Sequence, residues 1–158
     1  MQKRDHIMQN HNMLNFMLKV RGEMLFTVQG ISMEPVLKEN DKVIVVHCES
    51  YNIGDVIVFD FDEPFLVVHR ILMKTSNQYI CKGDNTFRLE QISKNKVLGK
   101  VQSIIRDNSM VPIPIVDEIF IHRSLDLYRE YKKNSFNNEL TKQSNVYRDF
   151  AKDYLNGT

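Results

Sequence analysis

The chain has 158 residues, of which 42% are hydrophobic and 26% are charged. This composition is typical of a globular protein, and it excludes a collagen-like, mucin-like or wholly disordered chain. Lysine and arginine number 21 against 20 for aspartate and glutamate, so the sequence has no basic excess for binding nucleic acid, and nucleic acid is not expected as a partner.

The N-terminal segment predicts an amphipathic helix. Met13, Met17, Val20 and Met24 recur at helical spacing, which predicts a helix over residues 8–22 whose apolar face packs on the core. Polar residues interrupt the segment, so it lacks the apolar stretch and the cleavage site of a signal peptide. No other stretch reaches the ~20 apolar residues of a membrane span. A cytoplasmic protein without an integral membrane segment is therefore expected.

The middle of the chain predicts a β domain over residues 25–115. Short runs rich in β-branched and aromatic residues alternate there with turn sequences, which favours a compact, largely antiparallel arrangement of strands. The runs are LFTVQ, KVIVVH, VIVFDF, FLVVHRILMK, YICK and VLGKVQSII.

Helical periodicity returns beyond Pro114. An apolar stripe predicts one tail helix, a polar segment over residues 132–145 predicts a loop, and the sequence VYRDFAKDYL predicts a second, weaker helix. The stripe consists of Val116, Ile119, Phe120, Leu125, Tyr128 and Tyr131. The predicted fold is therefore mainly β, with an N-terminal helix (1–24), a β-rich domain (25–115) and a helical tail (116–158).

Metal and redox chemistry find little support in the sequence. Cys48 and Cys81 are too few for a disulfide framework and form no CxxC pair, which favours reduced thiols in an intracellular protein. The five histidines show no metal-ligand spacing, and no glycine-rich phosphate loop is present. Neither a metal nor a cofactor is expected.

The chemically informative stretch is GISMEP, residues 30–35, which contains Ser32. A lone serine is usually structural, but further motifs follow this one in a fixed order. They are Gly54-Asp55-Val56-Ile57-Val58-Phe59, Val68-His69-Arg70-Ile71, Lys82-Gly83-Asp84-Asn85 and Gly99-Lys100-Val101. Over residues 27–105 the chain thus resembles the signal peptidase superfamily of serine proteases (S24/S26-like), which includes self-cleaving phage and SOS-type repressors.

The resemblance implies a coiled, mostly antiparallel β domain with Ser32 as nucleophile. The general base of the superfamily is usually a lysine, but a histidine occupies this position in the branch typical of archaea and the endoplasmic reticulum. This chain has His69 there, and no lysine lies between Lys42 and Lys74. A serine hydroxyl needs a base to become nucleophilic, and histidine titrates near neutral pH, so it can accept a proton without the desolvation that a lysine base requires.

Residues beside the serine are expected to contact the substrate. The backbone N–H of Ser32 is the expected donor to the oxyanion. Many signal peptidases have a serine two positions before the nucleophile, whereas this chain has Gly30, which permits close approach of a substrate backbone. Met33 and Pro35 belong to the same motif and are likewise assigned to substrate binding.

Two acids compete to orient the histidine ring. Asp84 lies in the KGDN turn, and Glu90 lies six residues further on, where the histidine branch commonly carries an acidic residue. Asp84 is favoured because a tight turn holds a short side chain firmly, whereas Glu90 has one more rotatable bond.

These features together predict a soluble serine endopeptidase that acts on a separate peptide or protein precursor. No membrane anchor is seen, and about 24 residues ahead of the β domain are too few for a DNA-binding domain. Removal of the leader from a ribosomally made peptide is one such reaction. Two alternatives stay open, namely a non-catalytic peptide-binding module on the same fold, and a peripheral membrane peptidase docked through its N-terminal helix or a partner.

Overall fold

A computed structural model describes residues 2–61 and 65–134, with side chains described over residues 11–61 and 65–133. They form eight antiparallel strands between two helices, which confirms the predicted fold class. The helices are α1 (Gln2–Arg21) and α2 (Glu118–Asn134). The strands are β1 (Glu23–Thr27), β2 (Lys42–Val46), β3 (Val56–Phe59), β4 (Val67–Lys74), β5 (Gln78–Lys82), β6 (Leu89–Ser93), β7 (Val97–Arg106) and β8 (Ser109–Pro112). The second tail helix, predicted from VYRDFAKDYL, lies outside the described residues.

The long strand β7 organises the sheet. The strand order is β1-β2-β7-β3-β4-β5-β6, and β8 also pairs with β7. Because β7 has ten residues, its first half pairs with β3 while its second half pairs with β8, and β2 lies along its other edge. This arrangement places β4, β5 and β6 side by side as three consecutive hairpin strands.

The prediction of which face of the N-terminal helix packs on the core is wrong. Met13 and Val20 are 55% and 69% exposed, whereas Leu18, on another side of α1, is completely buried. Met24 belongs to β1 rather than to the helix, because Gly22 adopts a positive φ of 81° and its N–H closes the last turn on the Leu18 carbonyl. Apolar residues thus lie on two sides of α1, so their spacing could not identify the buried one.

Two strands, β6 and β8, were not predicted from the sequence. The segment LEQIS of β6 contains three polar residues among five and resembles a loop when read alone. In the fold it pairs with β5 along its whole length, and Glu90 and Ile92 both point into the interior. Pairing with a neighbour, rather than local composition, therefore makes this segment a strand.

The side chains that the structure describes pack into three apolar clusters. The largest joins α1 to β2, β3 and β7, and a second surrounds Phe59, Ile71 and Tyr79. A third fixes α2 against β4 through Leu72 and Phe120. Cys48 and Cys81 are free thiols, and burial raises the pKa of Cys81.

The loop between β1 and β2, which carries Ser32, is closed at its base by Val28 and Asp41. The Val28 N–H donates to the Asp41 carbonyl at 2.8 Å, and Asn40 N–H donates to the Val28 carbonyl at 2.9 Å. Burial of the Asp41 carboxyl raises its pKa, but hydrogen bonds from Arg106 and from the Lys38 N–H outweigh this effect and hold the pKa below its ordinary value. Asp41 therefore stays ionised and anchors both ends of the loop to β7.

Candidate active site

Ser32 is held in place through its own backbone. It lies half-buried in the loop between β1 and β2. The Asn85 N–H donates to the Ser32 carbonyl at 2.9 Å, and the Asn85 side-chain amide donates to the Ile31 carbonyl at 3.0 Å. The turn after β5 thus clamps the chain on both sides of the Ser32 Cα, so that its hydroxyl has a defined position.

His69 contacts a hydroxyl on one side and a carboxylate on the other. Its Nε2 lies 3.1 Å from Ser32 Oγ, and its Nδ1 lies 2.8 Å from Glu90 Oε2. Both His69 and Glu90 are buried. The carboxylate of Glu90 can only accept from Nδ1–H, which assigns the proton to Nδ1 and leaves the Nε2 lone pair free to accept the Ser32 proton. The three side chains therefore form one continuous hydrogen-bonded chain.

Strand register explains why Glu90 reaches the ring. Ile71 lies opposite Cys81, and Cys81 lies opposite Glu90. Directly paired residues share a face of the sheet, and so do residues two apart on one strand. His69 is two residues before Ile71, so it shares a face with Glu90, two strands away.

The prediction that Asp84 orients His69 is wrong. The two Asp84 oxygens accept from Arg70 Nε at 2.9 Å and from Arg70 Nη2 at 2.7 Å, in a bidentate pair that is fully buried. Arg70 follows His69 directly on β4, so its side chain points to the opposite face. A buried arginine requires a carboxylate partner. The presence of Arg70 in the VHRI motif was therefore the sequence signal that could have identified Asp84 as the partner of Arg70.

A buried lysine completes the turn beneath Ser32. The Lys82 ammonium donates to the Gly83 carbonyl at 2.9 Å and to the Thr86 carbonyl at 2.8 Å. Burial lowers its pKa to about 8, although the nearby Asp84 and Glu90 carboxylates act in the opposite direction. Lys82 thus holds the turn that clamps Ser32.

Gly83 allows this turn to approach the site. A Cβ at this position would lie 2.5 Å from the Ser32 carbonyl oxygen and 2.9 Å from His69 Nε2. Both contacts are far shorter than van der Waals distances, and the first involves backbone that cannot rotate away. Only glycine therefore fits at this position between Ser32 and His69.

For a peptidase in which Ser32 and His69 are the reacting pair, replacement of Gly83 by alanine should lower kcat by about 10²-fold, because a shift of about 1 Å between reacting groups has an effect of this size. Gly22→Ala provides the control, since its Cβ would meet no atom within 4 Å. That variant should lose about 1 kcal/mol of stability from its positive φ and keep its kcat. Peptide hydrolysis and thermal unfolding of both variants test this. Wild-type kcat in Gly83→Ala would show that the contact is not restrictive.

The three residues assigned to substrate binding lie in different environments. Gly30, with a φ of 79°, lines the cleft beside Ser32. Met33 is 1% exposed, and its sulfur accepts the Asp84 N–H at 3.4 Å. The assignment of Met33 to substrate contact is therefore wrong, because the side chain is directed into the core. Pro35 is not among the residues that line the cleft.

A cleft of about 730 Å³ opens beside Ser32 and His69. Its walls are mainly aliphatic and aromatic, as is usual for sites that bind peptide or ligand side chains. The lining residues are Phe26, Thr27, Val28, Gln29, Gly30, Ser32, Val43, Val58, Phe61, Phe65, Leu66, Val67, Val68, His69, Thr86, Arg88 and Glu90. Thr86 and Arg88 were not recognised from the sequence, which carries no motif that marks them.

Comparison with known proteins supports the assignment suggested by the motifs. The family model described as peptidase S24-like matches residues 3–102, which is more than half of the chain. This confirms the resemblance to the signal peptidase superfamily. A search of curated proteins finds no match. Among the described residues, no helix is both long and apolar enough to cross a membrane.

Proposed function

The chain belongs to the peptidase S24-like family, and on this basis we propose that it is a serine endopeptidase of the histidine-base type. Ser32 is the nucleophile, His69 the general base and Glu90 the acid that orients the ring. The observation that carries this proposal is the hydrogen-bonded chain from Ser32 Oγ through both ring nitrogens of His69 to Glu90. A structural histidine has no need of a serine hydroxyl on one nitrogen and a buried carboxylate on the other.

Acylation begins when Ser32 Oγ attacks the carbonyl carbon of the scissile peptide bond. The hydroxyl proton passes to His69 Nε2 as the Oγ–C bond forms. Glu90 stabilises the resulting imidazolium through Nδ1–H. When the C–N bond breaks, His69 returns the proton to the leaving amine, which leaves an acyl ester on Ser32.

Deacylation repeats the same transfers with water. His69 takes a proton from a water molecule as the water oxygen attacks the ester carbon, and it then protonates Ser32 Oγ as the new acid leaves. Water is the only co-reactant, and both proton transfers are carried by His69.

The backbone N–H of Ser32 is proposed as a donor to the oxyanion. Within the described residues it donates to no backbone carbonyl, so it is available to a substrate. A donor to the oxyanion typically raises kcat by a factor of about 10²–10³. Gly30 has no side chain to obstruct the carbonyl as it approaches this N–H.

The substrate proposed is an extended segment of a peptide or protein precursor, such as the leader of a ribosomally made peptide. Residues 27–30 continue from the edge strand β1 into the cleft wall and end two residues before the nucleophile. An extended peptide can add to such a segment through backbone hydrogen bonds. The apolar walls would then receive its side chains.

A fluorophosphonate probe tests the nucleophile directly, because it reacts only with an activated serine. Labelling of the wild type at Ser32, identified by mass spectrometry, is expected. Ser32→Ala should not be labelled, whereas Ser50→Ala, which changes an exposed serine away from the cleft, should be labelled at the wild-type rate. A wild-type protein that stays unlabelled but binds peptides would instead be a non-catalytic peptide-binding module.

A further inference from the structure

Arg88 carries the only permanent positive charge among the described residues that line the cleft. It lies between the turn that clamps Ser32 and the first residue of β6, and its side chain is 61% exposed. Two residues later comes Glu90, which bonds the catalytic histidine. A fixed cation thus faces the cleft close to the reacting atoms.

The Arg88 guanidinium contacts an aromatic ring and lies near a carboxylate, and neither contact is a hydrogen bond. Its carbon lies 5.2 Å from the centre of the Phe61 ring, which itself packs edge-to-face on Phe59 at 6.3 Å. Its Nε is 3.7 Å from Glu90 Oε1, which is too far for a hydrogen bond. Neither of these contacts uses an N–H donor of the guanidinium. The cation–π contact with the Phe61 ring restrains the group, which reduces the conformational freedom that is lost when a ligand binds.

The charge of Glu90 does not remove the need for an anionic partner. Its Oε2 accepts the proton of His69 Nδ1, and its side chain is 3% exposed. The Glu90 carboxylate is therefore buried and already bonded to His69, whereas the Arg88 side chain is largely exposed to the cleft and solvent. A carboxylate from the cleft can meet the guanidinium with two N–H donors, the geometry in which arginine binds acids best.

We propose that Arg88 is a specificity-determining residue that selects a glutamate or aspartate side chain in the bound peptide, next to the bond that is cut. The inference rests on the peptide-binding role proposed for the cleft. The rest of the lining is mainly apolar, so the preferred segment combines apolar side chains with one acidic residue.

Equilibrium binding to the Ser32→Ala variant tests this without requiring turnover. Glutamate is scanned through each position of a fluorescent peptide of alanine, valine and phenylalanine, with glutamine and lysine counterparts at each position. At one position the glutamate peptide should bind about tenfold more tightly than its glutamine counterpart, as expected for a partly exposed charged hydrogen bond. In Ser32→Ala/Arg88→Gln this ratio should fall to about one, and in Ser32→Ala/Arg88→Glu the lysine peptide should bind best.

Each ratio is taken within one variant, so a general loss of binding cancels. Arg129→Glu in the Ser32→Ala background is the control, because it changes the net charge by as much as Arg88→Glu does, at an exposed position on α2, and should keep the glutamate preference. The proposal is wrong if glutamate and glutamine peptides bind equally at every position, if the preference survives in Arg88→Gln, or if no peptide binds. A missing fluorophosphonate label would contradict the peptidase function alone, since this binding measurement uses no catalytic step.

Discussion

Ser32→Ala is expected to lower kcat for peptide hydrolysis by about 10⁶-fold, because loss of the nucleophile in such an enzyme leaves only binding and oxyanion stabilisation. Ser32 is half-buried, and its hydroxyl makes a hydrogen bond of 3.1 Å with His69 Nε2. Its removal should therefore change the melting temperature little. The measurement uses a peptide that the wild type cleaves, found by mass spectrometry of a digested peptide mixture.

His69→Gln should be almost as damaging, and the double variant should be no worse than either single variant. The nucleophile and base act as one unit, so their effects on kcat do not add. Glutamine is chosen because its amide can still donate to the buried Glu90 carboxylate, which limits the loss of stability. Additive losses in the double variant, or residual hydrolysis near the wild-type rate in Ser32→Ala, would contradict the assignment of this pair.

Glu90→Gln is expected to lower kcat by about 10²–10⁴-fold with a small change in KM. The glutamine is nearly isosteric, so packing against Cys81 and the neighbouring strands is retained. The negative charge that stabilises the His69 imidazolium is lost, and the amide group can donate to Nδ1 and reverse the tautomer that Ser32 requires. Steady-state kinetics with the peptide used for Ser32 measure this loss.

Asp84→Asn, measured beside Glu90→Gln, tests whether Asp84 has a structural role and Glu90 a catalytic one. Its carboxylate neutralises the completely buried Arg70 through two hydrogen bonds. Loss of one partner of such a pair costs about 3–5 kcal/mol of folding free energy, so this variant should show a large fall in melting temperature. The Glu90→Gln protein should melt much closer to the wild type. Equal kinetic losses with equal melting temperatures would show that the two acids do not have distinct roles.

Several properties of this protein follow from local sequence patterns. Short β-branched runs separated by turn residues are sufficient to predict most of the strands, because strand formation responds to that alternation. The motifs around Ser32 and His69 could be recognised for a related reason, since each combines particular residue types at close spacing along the chain. Both side chains indeed lie in hydrogen-bonding contact.

The partner of His69 depended on information that no local pattern contains. Asp84 has the stronger turn motif, but it lies two residues after Lys82. Lys82 is paired with Arg70, and both lie on the face of the sheet opposite to His69. Glu90 reaches the ring only because LEQIS pairs with β5 in the register that sets Glu90 against Cys81. A shift of one residue in that pairing would turn Glu90 away from the ring.

The sequence by itself therefore predicted the fold class and identified Ser32 and His69 as members of one site. Only the tertiary structure decided which carboxylate meets the ring, which side of α1 is buried, and that Arg88 faces the cleft. The physical reason is the range of the interactions. Propensity, periodicity and turn chemistry act over a few residues, whereas strand register and the pairing of a buried arginine join residues that are distant in the chain and adjacent only after folding.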